Sequence, residues 1–460
     1  MKLIPIYTWN KSVLQFNKRS DRLSHQPWFQ GVLLFACVVI AMLLANLPAT
    51  GALYHGILET HIQLHLSSPD SRIDILFPRD MTIEKFINDI LMVVFFFTVG
   101  LEIKREITYG ELSSVKKALL PVIAAFGGVI FPALIYTLVN HGTAGSSGWG
   151  IPTATDIAFA VCILSVLGDK VPVSLKVFLT ALAIADDLIA ILVVAIFYGG
   201  SINIPLLLIA VLVILLTLGL RRLGEKRMFP YLLMAFLVWV LFYYSGIHAT
   251  MSGVVMAFLI PAKPIYNKSQ YYHKRNRYIK LLDQYAGIDG DSEFPNGPQK
   301  HCLRKLHAVA QGSMDMSYRV EHALNPWVNF VIMPIFALAN AGVVISGPEI
   351  SSVSIGIFLG LVLGKPLGIT LASLLAIKTG AGEMPEKATW PMFFAVACLG
   401  GIGFTMSIFV DTLSFSDQAP EIAARMRDMG KIAVLVGSIC AGVLGSVLIN
   451  IVHKVQSSRK

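Results

Sequence analysis

Charge is scarce in this chain. Only 14% of its 460 residues are Asp, Glu, Lys or Arg, while 55% are hydrophobic. Mean hydropathy is +0.68. A soluble domain of this length carries roughly a quarter charged residues, so the composition excludes that class and indicates a polytopic membrane protein. Paired cysteines are also lacking. The five present, Cys37, Cys162, Cys302, Cys398 and Cys440, show no repeated spacing and lie mostly in apolar runs, which predicts neither a disulfide nor a metal framework. No cleavable leader is expected either. The first apolar run, 28–47, is too long for a signal-peptide core and follows a basic tail, 1–27, so it reads as an uncleaved helix. The charge balance of +9 is a membrane-orientation signal rather than a nucleic-acid-binding patch.

Apolar runs long enough to cross about 30 Å of hydrocarbon recur along the chain. Twelve are expected, at 28–47, 86–103, 117–139, 151–167, 173–198, 203–220, 228–244, 247–261, 325–345, 354–377, 388–411 and 429–452. Lys and Arg concentrate in alternate connections: 1–27, 104–117, 221–227 and 262–319. The short connections 140–150, 199–202, 245–246 and 346–353 have none. By the positive-inside rule, both termini (1–27 and 453–460) are expected in the cytoplasm, around a twelve-span domain, 28–452. The outside segment 48–85 has alternating runs around SSPDS, which reads as a β-hairpin, with an irregular loop as the alternative. The long cytoplasmic loop 262–319 carries no nucleotide- or metal-binding motif, and no cofactor is expected.

The chain is organised around TALAIADDLIAILVV, 180–194, which puts Asp186 and Asp187 in the middle of a span. A charged side chain at the bilayer centre is costly, so such residues mark ion or proton pathways. The fourth span opens GWGIPTATDIAFA, where Pro152 and the small residues up to Thr155 weaken the helix just before Asp156. Broken backbone at membrane depth must be buried in protein or line a watery cavity. The tenth span has a glycine every four residues, Gly356, Gly360, Gly364 and Gly368, a face that lets a neighbouring helix approach closely. Lys365 lies in the same span, too deep to snorkel, and needs an interior partner: Asp186 or Asp187. Gly400, Gly401 and Gly403 interrupt the eleventh span.

The two interrupted spans are the middle members of three-span groups, about 117–198 and 354–452, of opposite predicted orientation. That is the pattern of inverted repeats with a transport site between them, for which the family named next is itself a reference case. At the end of the second span, Glu102, Lys104, Arg105 and Glu106 cluster; alone they read as a snorkelling helix end with local ion pairs.

The segments NDILMVVFFFTVGLEIKRE (88–106), TATDIAFA (153–160), ALAIADDLIAI (181–191), SGIHATMSGV (245–254), FALANAG (336–342), GKPLGI (364–369) and GIGFTMSIF (401–409) occur in an order that resembles the NhaA sodium/proton antiporters over nearly the whole chain. The resemblance implies an all-α fold of twelve spans with two inverted repeats and two crossed discontinuous helices. It implies ion binding at Asp186 and Asp187, and a helix crossing with Thr155, Asp156 and the intramembrane Lys365. It also implies pH response at Glu102, Arg105, Glu106, Glu321, His322 and His248. Asn325 departs from the pattern, standing where better-known members have a second histidine, and the 262–319 loop looks longer than theirs. A homodimer through the outside loop and a bacterial inner-membrane location are further implications.

The expected activity is exchange of Na⁺ or Li⁺ for more than one H⁺. Sodium takes oxygen ligands, and protons compete for the same carboxylates, so occupancy is exclusive; Lys365 pairs with Asp186 when sodium is absent. Asp156 and Lys365 are also of the right sign to balance the facing helix ends, and for both residues that role stays open beside ion binding. A sodium-coupled symporter of an organic solute is the second transporter reading, but the Ala, Ile, Leu and Val around the aspartates offer little to hold an organic group. An enzyme reading, an intramembrane aspartyl protease, lacks its YD and GxGD motifs here. Adjacent aspartates on one helix also diverge by about 100°, which suits an ion cavity better than a protease dyad.

Overall fold

A computed structural model describes residues 27–62, 65–68, 71–74, 81–199, 202–225, 227–286, 295–344, 351–415 and 418–458. The tail 1–27 thus lies outside the described residues apart from Pro27, as do parts of the 48–85 and 262–319 segments and the last two residues of 453–460. The described residues are helical almost throughout, and the chain is a polytopic membrane protein. Among the described residues nine helices are long and apolar enough to cross a bilayer, and eleven spans result if each of two bent helix pairs counts as one.

The expectation of twelve spans differs at 247–261, where only Thr250–Leu259 is helical. Both ends have a local cause. Gly246 adopts a left-handed conformation (φ 82°) that closes the preceding helix Met228–Ser245. At the other end Ile260 precedes Pro261, which disfavours helical backbone, and Ile260 is extended (φ −58°, ψ 136°).

The described chain forms two compact units: one of 1–95, 106–200 and 328–460, the other of 96–105 and 201–327. The first unit carries the residues 186 and 187. Its helix Val173–Phe197 has 25 residues, about 37 Å at 1.5 Å per residue, with Pro172 fixing its start. The aspartates fall near its middle, so they sit deep in the membrane. The helix Val115–Val139 packs against Ser352–Lys378 through the glycine face. A Cβ placed on Gly368 would lie 2.2 Å from the Gly127 carbonyl oxygen, and one on Gly364 would lie 2.8 Å from Pro132 Cα. Gly356 meets Tyr136 of the same helix and Asn140 just past its end. Only hydrogen fits at these positions, and the backbones therefore run nearly in contact.

Within Ser352–Lys378 the turn Gly360–Gly364 is π-helical, and Lys365 N–H bonds five residues back to Gly360. Pro366 supplies the reason: it has no N–H and its ring crowds the carbonyl four residues before it, which widens the turn. Lys365 stands at that widened turn. Two breaks complete the unit. The 3-10 segment Ala144–Thr153 and the helix that follows it bend by 41°, and Trp390–Leu399 and Phe404–Ser414 bend by 52°. In the 48–85 segment, His65–Ser68 pairs antiparallel with Ser71–Asp74.

In the second unit, Phe97, Leu101, Tyr231, Val238, Phe242, Met256, Ala257 and Leu259 form a common apolar core. The described part of the 262–319 segment includes the helices Lys268–Ala286 and Gly297–Ser313. The second begins with a reciprocal cap in which Asn296 and Gln299 each accept from the other's backbone N–H.

Candidate functional site

The two breaks of the first unit meet through their backbones. Asp156 N–H donates to the Ile402 carbonyl at 2.7 Å. Thr155 Oγ1 donates to the Gly400 carbonyl at 2.9 Å. Extended backbone leaves polar groups without helical partners, and here each break supplies some of the other's. Ser438, from the last helix Pro420–Ser457, accepts from Gly403 N–H at 3.2 Å and Phe404 N–H at 3.1 Å.

Asp156 caps two helices at once. Its Oδ1 accepts from Phe159 N–H, 3.3 Å, at the start of Ile157–Leu167. Its Oδ2 accepts from Thr405 N–H, 3.1 Å, at the start of Phe404–Ser414, and also from the Thr405 hydroxyl. Both helix N-termini carry partial positive charge and orphan N–H groups, and one buried carboxylate answers both.

Lys365 lies beside this junction, 1% exposed. Its ammonium donates to Thr155 Oγ1 at 2.8 Å and forms an ion pair with Asp186 Oδ2. The Thr155 hydroxyl therefore relays from the ammonium to a carbonyl of the opposite break. Asp186 is buried, and its Oδ1 accepts no hydrogen bond. Asp187 is buried next to it and lies within electrostatic reach of Lys365. Five of the sequence-selected residues, Thr155, Asp156, Asp186, Asp187 and Lys365, thus converge in one buried region. Asp156 is turned to the helix ends, whereas Asp186 is paired with Lys365. Carboxylate, hydroxyl and carbonyl oxygens together are the donors a hard monovalent cation takes.

Thr405 and Ser438 were not singled out from the sequence. Thr405 lies within GIGFTMSIF, and its position two residues past Gly403 is the signal: a hydroxyl in the first turn after a break can bond to whatever caps that turn. Ser438 has no such signal, because its partners come from another helix.

The remaining candidates are distributed differently. In the second unit, Arg105 bonds to the buried Glu321 and also faces Glu102 at 3.6 Å. His322 stacks with Tyr318, ring centroids 3.9 Å apart. His248 Nδ1 lies 2.9 Å from Thr250 Oγ1. In the first unit, Glu106 accepts from Glu111 N–H at 3.1 Å, within its own helix end. Lys104, grouped in the sequence with surface charges, is buried instead. Its ammonium donates to the carbonyls of Ala257, 3.1 Å, Phe258, 3.0 Å, and Ile260. A cation at the C-terminus of Thr250–Leu259 answers the negative helix end, so Lys104 does not snorkel.

These features define a class: a polytopic helical membrane protein whose two broken helices meet beside buried carboxylates and a buried lysine. Comparison with known proteins gives the family. A family model described as Na+/H+ antiporter 1 matches residues 21–449. Relatives carrying the name Na(+)/H(+) antiporter NhaA include one from Wolinella succinogenes, 41% identical over 434 residues, covering 93% of this chain and 92% of the relative. Another, from Oleidesulfovibrio alaskensis, is 41% identical over 435 residues, covering 94% and 93%. A third, from Porphyromonas gingivalis, is 38% identical over 441 residues, covering 95% and 96%. The chain belongs to the Na+/H+ antiporter 1 family.

Proposed function

We propose that this chain is an electrogenic, pH-regulated antiporter that expels Na⁺ or Li⁺ in exchange for more than one H⁺. The observation that carries the reading is the ion pair of Lys365 with Asp186, buried within the membrane beside Asp187. In the sodium-free form the ammonium occupies the carboxylate that a metal ion needs. Na⁺ entering the site takes Asp186 and Asp187 as ligands and breaks the pair. The site then gives up the protons that the sodium-free form held. A cation and protons therefore exclude each other, and alternating access converts exclusion into exchange. Two titrating positions for one monovalent ion give a net movement of charge in each cycle.

Asp156 serves the scaffold in this mechanism. With both oxygens engaged by helix N-termini it holds the two breaks at their crossing. Lys365 and Thr155 bind that crossing to the ion site. The pH response is assigned to Glu102, Arg105, Glu321 and His322, with Glu106 and His248 as further contributors. The proposal also sets the protein in a bacterial inner membrane, as the family resemblance implies, with both termini cytoplasmic on the Lys and Arg asymmetry of its connections. A homodimer joined through the 48–85 segment completes the proposal.

The test is sodium-driven proton movement in energised everted vesicles, without organic solute. Asp187→Asn abolishes it while the protein stays in the membrane. Retained exchange in that variant removes the ligand assignment.

A further inference from the structure

Asp411 takes no part in the site above. It lies on Phe404–Ser414, the second arm of a broken pair, and is 0% exposed. Neither of its carboxylate oxygens accepts a hydrogen bond. One turn earlier, the buried Ser407 hydroxyl has no hydrogen-bond partner either. Residues 403, 407 and 411 are spaced by four and share one helix face. Gly403 heads the row at the crossing, where a Cβ would lie 3.1 Å from the Ala154 carbonyl oxygen and 2.1 Å from Ser407 Oγ. Each step of four residues covers about 6 Å. Two polar groups without partners, the Ser407 hydroxyl and the Asp411 carboxylate, therefore follow one another along the arm from the crossing. Buried polar atoms left without partners need a reason.

The surroundings select the ligand. Asp411 packs against the Gly430 backbone, where a Cβ would lie 2.0 Å from Oδ1. The charged and titratable groups facing it are Lys431, Arg427 and Asp428 on the last helix, Tyr136 on Val115–Val139, and Tyr198 after Val173–Phe197. The tyrosine hydroxyls already donate to the Gly145 and Ser147 carbonyls. A metal ion needs several oxygen ligands at once, and the tyrosine oxygens here are already engaged, whereas a proton needs only the carboxylate. A proton adds to the carboxylate and leaves a neutral acid, the form that a donor-poor pocket tolerates.

We propose that Asp411 is a second proton-binding site of this protein, placed on the outward arm of the broken helix. It takes one H⁺ from the membrane face to which that arm runs. The same H⁺ leaves along Ser407 to the central carboxylates, restoring the Asp411 carboxylate, and nothing else is consumed. The proposal rests on the antiport reading of the centre.

The experiment uses purified full-length protein in liposomes. Infrared difference spectra across pH follow the carbonyl stretch of neutral carboxylic acids, and isotopic sodium reports equilibrium binding and exchange. Asp411→Asn keeps the shape of the neutral acid and cannot titrate. The expected result is loss of one carboxylic-acid band and a displaced pH profile of exchange, with equilibrium sodium binding retained. Ser407→Ala, which breaks no hydrogen bond, keeps the band and slows exchange. A full set of bands in Asp411→Asn overturns the proposal, as does an unchanged pH profile. If Asp411→Asn does not fold, normal exchange in Ser407→Ala overturns the relay. Wild-type protein that exchanges no sodium for protons refutes the antiport reading itself, whatever the spectra show.

Discussion

Replacing Lys365 by Met tests the central pair most directly. The lysine is 1% exposed and its stem packs near Gly128, with Cδ 3.7 Å from the position of a Cβ there. Met fills most of that volume, so the cavity contribution is small and the loss is electrostatic. The change removes the ion pair to Asp186 and the hydrogen bond to Thr155. Breaking a buried pair from one side costs about 3–5 kcal/mol, because the remaining charge is left uncompensated, whereas removing both charges is often close to neutral. Lys365→Met and Asp186→Asn should therefore each lower the thermal midpoint in detergent at alkaline pH. The double variant should recover most of the loss. Acidification neutralises the orphaned carboxylate of Lys365→Met, so its deficit should shrink as the pH falls. A double-mutant cycle read from thermal unfolding supplies the coupling. Simple additivity of the two losses at alkaline pH would refute the pairing as an energetic feature.

Three further outcomes are expected. Thr405→Val removes the hydroxyl that bonds to Asp156 but keeps the backbone N–H; it should destabilise by about 1.5–3 kcal/mol, the range for bonds to charged groups, while Thr405→Ser should not. Gly368→Ala forces a methyl to within 2.2 Å of the Gly127 carbonyl oxygen; overpacking of this kind costs about 1–3 kcal/mol, and an unaltered melting curve would contradict the close helix approach. Glu321→Ala combined with His322→Ala leaves Arg105 without its buried carboxylate partner. That double variant should move the pH profile of exchange, and an unmoved profile would count against a sensor in this cluster.

Part of the site could be read without any fold. Pro152 and Gly400–Gly403 disrupt helices wherever they fall, so the breaks were legible. An aspartate pair inside an apolar run is equally local. The cluster at 102–106 shows the limit of such reading. Its four charges look alike in the sequence, yet Lys104 points into carbonyls, Arg105 reaches Glu321, and Glu106 turns back to its own helix end. Spacing says that a helix end is charged but not what stands opposite it.

The solvent of this protein, most of the segments that cross it and the places where they break were legible without a fold. These follow from hydropathy and from backbone chemistry within a few residues. Folding was needed to show that Asp156 caps two helices, that Lys365 takes Asp186 rather than Asp187, and that Asp411 is sealed against Gly430. Each of these assignments depends on a partner from another helix. Helix–helix register is set by close packing of faces such as Gly127 against Gly368, and no window of sequence contains both sides of that contact.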